Sequence, residues 1–103
     1  MHIKINDFRP YRKNTLQGFA TIQFVENKLE LRDVALHDKN GSRWFQLPAK
    51  PFDKPSGERG WNYIVAFADK DSYAQFQELA LMAFDAYQGE TRRNGYAGQD
   101  QTV

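Results

Sequence analysis

The sequence predicts an α+β protein in which an antiparallel sheet of about five strands precedes one main C-terminal helix. Apolar and polar residues alternate with a period of two through much of residues 2–67, whereas apolar residues recur every three or four positions over residues 70–88. At 103 residues the chain suits one compact domain, and an aromatic content of 15% predicts an aromatic-rich core. We therefore expect a single domain over residues 1–88 and a mobile polar tail over residues 89–103.

The first two strands are predicted at residues 2–9 and 16–25. Ile3 and Ile5 alternate with polar neighbours, and Pro10 indicates an edge strand or its end because proline has no N–H to donate to a sheet. The second segment is rich in Thr, Ile, Phe and Val, which are frequent in strands.

A third strand is predicted at residues 29–36, with a break in its alternation. The alternation slips by one position near Asp33, which predicts a β-bulge. Asn40 and Gly41 both tolerate positive φ, so they predict a hairpin turn into a fourth strand at residues 43–47.

The remaining segments are predicted to be a loop, a strand and a helix. Prolines and glycines in a charged stretch predict a long loop at residues 48–60, and residues 61–67 predict a fifth strand. Asp69 is suited to cap a helix at residues 70–88, and Gly89 is suited to end it. The apolar stripe of this helix is broader than one sheet face requires. It comprises Tyr73, Phe76, Ala80, Ala83, Phe84 and Tyr87, and is widened by Leu79, Leu81 and Met82.

The residue inventory argues against several classes of function. The chain has no Cys, so it has no disulfide, no thiol nucleophile and no Cys-based metal site, and we expect a cytoplasmic location. We predict neither secretion nor insertion into a membrane, because no apolar segment is long enough. His2 and His37 lack the spacing of metal ligands, and we expect no metal or other cofactor.

Nucleophilic catalysis is also not predicted. No serine lies in the Gly-x-Ser-x-Gly elbow that exposes a nucleophile beside a base. Turn-forming and capping roles explain the three serines, which are Ser42, Ser56 and Ser72. We therefore predict that the protein is not an enzyme, and we identify no small-molecule substrate.

The distribution of charge is more informative than its sum. The net charge is +1, but residues 1–59 hold eleven basic and seven acidic residues, whereas residues 60–103 hold three and six. The sheet half is therefore basic and the helix half acidic, which favours a local polyanion contact over a uniformly basic coat.

Basic residues interleaved with aromatic ones predict a nucleic-acid surface. Cationic side chains neutralise phosphates and release counterions, and exposed aromatic rings stack on unpaired bases. The alternative is an ordinary solvated loop whose aromatic side chains face the core. The predicted basic contacts are Arg9, Arg12, Lys13, Lys50, Lys54, Arg59, Arg92 and Arg93, and the predicted aromatic contacts are Tyr11, Phe52 and Trp61.

A series of motifs in fixed order resembles the SpoVG family of small bacterial regulatory proteins. The family pattern is an apolar strand ending in Asp, a turn with Gly, a strand ending in Met-Pro-Ser, a basic loop and a helix, and this chain has Pro-Ala-Lys after its strand and Pro-Ser-Gly-Glu in its loop. The matching segments are residues 33–36, 40–41, 44–50, 55–58 and 76–87. The likeness spans about residues 1–88, although the first 30 match only in strand pattern.

The resemblance implies a sheet with one main helix, a homodimer, and sequence-selective binding of DNA or RNA in gene regulation. The family's basic contacts just after the proline correspond here to Lys50, whereas the second of those positions is Pro51. We expect the wide apolar face of the helix, or an edge strand, to supply the dimer contact.

Two other functions fit the sequence. One is a binder of single-stranded DNA resembling the positive cofactor four and Whirly folds, in which a curved antiparallel sheet precedes a dimerising helix. The other is a protein-interaction adaptor whose exposed aromatic patch, including Phe52 and Trp61, contacts a protein partner without any nucleic acid.

Overall fold

The computed structural model describes residues 1–102 of the protein, with side chains as far as Thr91. It contains two antiparallel sheets and one long helix, so the predicted α+β class is confirmed. Four strands form the main sheet in the order β1-β2-β3-β4, and two form a separate hairpin. The elements are β1 Ile3–Lys13, β2 Leu16–Phe24, β3 Leu29–Lys39, β4 Ser42–Gln46, β5 Ala49–Asp53, β6 Arg59–Tyr63 and α1 Lys70–Thr102.

The first strand extends beyond its predicted end at residue 9. It runs through Pro10 to Lys13, and Pro10 lies opposite Gly18 of β2. Because β1 is at the edge of the sheet, a residue without an N–H is tolerated there. Gly18 is required beneath Phe8, because a Cβ at Gly18 would lie 2.5 Å from the Phe8 ring.

Two local features of β3 agree with the sequence. Asp33 has a φ of 58°, and the register with β2 shifts between Ala20 and Ile22, which confirms the bulge. Asn40 and Gly41 form the two-residue turn into β4, both with positive φ.

The predicted loop at residues 48–60 is wrong, because these residues supply a strand and a turn. Ala49 pairs with Tyr63 and Asp53 with Arg59, so β5 and β6 form a hairpin. The predicted fifth strand ends early, at Tyr63 instead of residue 67. Pro51 is tolerated within this hairpin because each of its two strands has an unpaired outer edge.

The helix begins where the sequence predicts and continues past its predicted end. Asp69 accepts hydrogen bonds from the Ser72 backbone N–H (2.8 Å) and hydroxyl (2.9 Å), which confirms the cap. These bonds, the backbone one first, lower the pKa of Asp69. The helix does not end at Gln88 but passes through Gly89. The sequence also predicts a mobile tail at residues 89–103, and the side chains of most of these residues lie outside the described part of the chain.

The core lies between the helix and one face of the main sheet. Phe76, Ala80 and Phe84 of α1 are buried against the sheet, where Phe45 and Ile22 are fully buried. The Phe84 ring packs edge-on against Phe8, with centroids 4.8 Å apart, and the core is aromatic-rich as predicted. The helix does not cover the opposite face of the sheet, and the candidate site lies on that face.

Candidate nucleic-acid interface

The sheet face opposite the helix displays a row of side chains that crosses all four strands. In the strand register, Arg9 lies beside Phe19, Phe19 beside Ala35, and Ala35 beside Gln46. Side chains at laterally paired positions share a face, and the buried neighbours of these residues point the other way, toward the helix. We call this surface the open face.

Arg9 is held on the open face by an acid and by an aromatic ring. Its guanidinium forms an ion pair with Asp33, which the bulge of β3 displays, and lies 5.8 Å from the centroid of the Phe19 ring. The Tyr11 ring lies 6.3 Å from Phe19 on the other side. Two predicted contacts, Arg9 and Tyr11, therefore meet around a phenyl ring that the sequence prediction did not include.

A second aromatic group on this face is built around His37. The imidazole stacks on the Trp44 indole, with centroids 5.1 Å apart and ring planes 10° from parallel. Its Nε2 donates to Gln46 Oε1 (3.0 Å), and its Nδ1 forms a hydrogen bond of 2.9 Å with the Thr15 hydroxyl. Both ring nitrogens are thus engaged, and the two bonds fix the orientation of the stacked pair.

The hairpin of β5 and β6 encloses one side of the open face. A cavity of about 430 Å³ lies between Phe19 and Ala35 of the sheet and Ala49 and Trp61 of the hairpin, with Arg32 also in its lining. We call this cavity the sheet groove. Its walls are largely apolar, and its charged lining groups are Arg32 and Asp33, each engaged in an ion pair on the sheet, so the groove offers mainly stacking surface.

The hairpin separates the residues that the sequence predicts on it. Alternation along β5 gives Lys50 and Phe52 one face, which Lys54 continues just beyond the strand, whereas the register gives Arg59 and Trp61 the opposite face. Phe52 packs over Gly60, where a Cβ would lie 2.5 Å from the ring. This face of the hairpin therefore carries two lysines, Lys50 and Lys54, with the Phe52 ring between them.

The hairpin cations are not neutralised by ion pairs. Among the side chains that the structure describes as far as Thr91, none forms a salt bridge with Lys50, Lys54 or Arg59. Arg32, in contrast, pairs with Glu30 (3.2 Å), and the pKa of Glu30 is lowered by the Asn6 amide and then by Arg32.

The other predicted cations do not join one patch. Arg12 lines a small cavity on the helix side of the sheet, with Arg43 and Phe84, and Lys13 ends β1. The side chains of Arg92 and Arg93 lie outside the described residues. The structure thus divides the predicted basic set between the open face, the hairpin and the helix side.

The sequence prediction missed three residues of the open face, namely Phe19, His37 and Trp44. Phe19 carried a usable signal, because it is an aromatic residue on the strand face whose other members, Thr21 and Gln23, are polar. The proximity of His37 to Trp44 required the register between β3 and β4.

No family model matches the chain, and no curated protein matches it. Within the residues described, no group of three or more metal-ligating side chains occurs. No helix of the described chain is long and apolar enough to cross a membrane.

Proposed function

We propose that the protein binds nucleic acid, DNA or RNA, as a homodimeric regulatory domain and without catalysis. The observation that carries the proposal is the aromatic sheet groove, bordered by a hairpin whose outer face carries two lysines that form no ion pair with the described side chains. Nucleic acids present alternating phosphates and flat bases, and the two surfaces match those two chemistries. The resemblance of the sequence to the SpoVG family agrees with this proposal.

The hairpin supplies the phosphate contacts in this proposal. Lys50 and Lys54 lie on one hairpin face, separated by Phe52, and both point to solvent. Asp53 and Glu58 reduce the net charge of the hairpin, so the contact is local and depends on the two lysines. Arg59 lies on the other face with Trp61, where it would contact a nucleic-acid strand that enters the sheet groove.

A salt titration tests the phosphate contacts. The double variant Lys50→Ala/Lys54→Ala should bind labelled DNA and RNA more weakly, and the slope of log K against log salt should be shallower by about two. Lys28→Ala/Lys39→Ala removes the same charge from other turns and is the matched control. Equal slopes in the two double variants would remove the hairpin lysines from the interface.

The dimer contact is proposed on a second apolar row of the helix. Leu79, Met82 and Ala86 follow spacings of three and four residues, which is the seam spacing of paired helices. Met82 is 62% exposed, whereas the buried stripe of the same helix faces the sheet. A twofold pair of helices through this row would present two hairpins to one nucleic acid.

Light scattering after size exclusion tests the dimer. The wild-type chain should have twice the mass of a monomer at micromolar concentrations, and the Met82→Lys variant should have the mass of a monomer. Gln88→Lys adds the same charge at an exposed position of this helix away from the row, and it should remain dimeric. A monomeric wild-type chain would contradict this part of the proposal.

An adaptor that binds protein is the second candidate, because three neighbouring apolar side chains are exposed on the hairpin and beyond it. Trp61 is 52% exposed, Tyr63 56% and Ile64 62%. Such a patch suits a partner whose binding is insensitive to salt and is lost on Phe52→Ala or Trp61→Ala. Absence of polynucleotide binding at low ionic strength would favour this candidate.

A further inference from the structure

A second cavity continues the sheet groove around the edge of β4. It has a volume of about 600 Å³, within the range of roughly 300–1,000 Å³ that ligand pockets occupy. It lies between Trp44 of β4, Tyr63 of β6 and Tyr73 of the helix, and we call it the edge cavity. His37 and Gln46 line both cavities, so a single strand of nucleic acid can pass from one cavity into the other.

Five of the twelve residues that line the edge cavity carry flat rings. Trp44 is backed on one side by His37, which holds the indole in place. Phe67, which also lines the cavity, packs edge-on against Tyr73, with centroids 6.5 Å apart. Tyr63 and Tyr73 remain 56% and 43% exposed, so each offers ring surface to a ligand. Such walls suit a planar aromatic ligand.

Two polar side chains of the cavity, Gln46 and Lys70, supply donors. Gln46 Oε1 accepts from His37, and no hydrogen bond in the described part of the chain uses the Gln46 amide nitrogen. Lys70 adds an ammonium group, whereas both carboxylate oxygens of Asp69 already accept from Ser72. The ligand edge that matches these donors carries carbonyl oxygens.

We propose that the edge cavity holds one unpaired nucleobase with carbonyl oxygens on its edge, best satisfied by thymine or uracil, which carry two. The inference rests on the proposed function, because the strand that delivers the base lies in the sheet groove. A base within a duplex is stacked and paired, and its extrusion is unfavourable. The protein therefore selects single strands over duplexes.

Fluorescence of Trp44 tests occupancy of the edge cavity. The chain has two tryptophans, so Trp61→Phe leaves Trp44 as the only indole. A dT12 or U12 strand should quench this indole on stacking, and dA12 should quench it less because adenine has an amino donor where thymine and uracil have a carbonyl acceptor. The dT12·dA12 duplex should leave the emission unchanged at the same concentration. Equal quenching by duplex and single strand would overturn the inference.

Affinity measurements on exposed tyrosines provide the second test. Tyr63→Ala and Tyr73→Ala should each weaken dT12 binding about 5- to 150-fold, the loss expected for one stacked base, with a smaller effect on duplex. Leu29→Ala, which removes an exposed apolar side chain at the opposite end of β3 from His37, should change neither affinity.

The results separate the two proposals. If dT12 binds with the salt slope of the hairpin lysines but Trp44 is not quenched and both tyrosine variants bind normally, the edge cavity is not a base site and the proposed function stands. If neither strands nor duplexes bind at low ionic strength, the proposed function fails and the inference fails with it.

Discussion

The Gln77 side chain of the helix pairs with the backbone of Phe45 as a neighbouring strand would. Its amide nitrogen donates to the Phe45 carbonyl oxygen (2.6 Å), and its Oε1 accepts from the Phe45 N–H (2.8 Å). Phe45 lies on β4, an edge strand of the main sheet. The pair therefore occupies hydrogen-bonding groups that an added strand would use, and it favours the helix over this edge as the dimer contact.

Gln77→Ala should lower the free energy of unfolding by about 1–3 kcal/mol, because both backbone groups of Phe45 lose their partner beside the core. Urea denaturation measures the change. Gln88→Ala, at an exposed position of the same helix, should have little effect. Equal stability of the two variants would mean that water replaces the Gln77 amide without cost.

Gly89→Ala distinguishes a continuous helix from the ending that the sequence predicts. Within a helix, alanine is more favourable than glycine by up to about 1 kcal/mol, and a Cβ at Gly89 meets nothing within 4 Å. We expect a small rise in thermal stability and in helical circular dichroism. If Gly89 instead ended the helix in a left-handed conformation, the same substitution would be destabilising.

The ion pair of Arg43 with Asp85 makes part of the stability dependent on pH. Two hydrogen bonds of 2.7 and 2.9 Å join the groups, and the bond to Arg43 lowers the pKa of Asp85. Because the folded pKa lies below the unfolded value of about 3.9, the contribution is present above that pH and is lost as pH falls through the folded pKa.

Asp85→Asn should therefore be less stable than the wild-type chain at pH 7, and the difference should shrink by pH 3. The Asp85 side chain is 57% exposed, so solvent screening limits the difference to about 0.2–1 kcal/mol. Urea midpoints at the two pH values measure it. A difference independent of pH would exclude ionisation of Asp85 as its cause.

Local signals in the sequence were sufficient for several elements. The Asn40 and Gly41 turn, the bulge at Asp33 and the cap at Asp69 each depend on the conformational preference or hydrogen bonding of one or two residues, and all three are confirmed. Fold class followed from periodicity alone, because the alternation and the helical stripe occupy separate parts of the chain.

Pairing between distant segments could not be predicted in the same way. The hairpin of β5 and β6 was missed because Pro51 indicates a loop, and only the pairing with Trp61 makes that segment a strand. The candidate site depends on the same information. Arg9, Phe19 and Asp33 are far apart in sequence, and the strand register with its bulge brings them together.

The pairing of Arg9 with Asp33 predicts a gain of nucleic-acid affinity by substitution. Asp33 places a carboxylate in the proposed path of a phosphate backbone and occupies the guanidinium of Arg9. Asp33→Asn removes the charge, and asparagine tolerates the positive φ of this bulge. The variant should bind polyanions more tightly at low salt and steepen the salt slope by about one, because Arg9 is released to contact a phosphate.

Glu90→Gln makes the same change in net charge on the exposed side of the helix and is the matched control for Asp33→Asn. Gel shifts across a range of salt concentrations compare the two. If affinity depended on net charge alone, both variants would gain equally. If Asp33→Asn instead bound as weakly as Arg9→Ala, the intact ion pair would be needed to shape the groove, and Arg9 would act by orienting Phe19 and not by contacting phosphate.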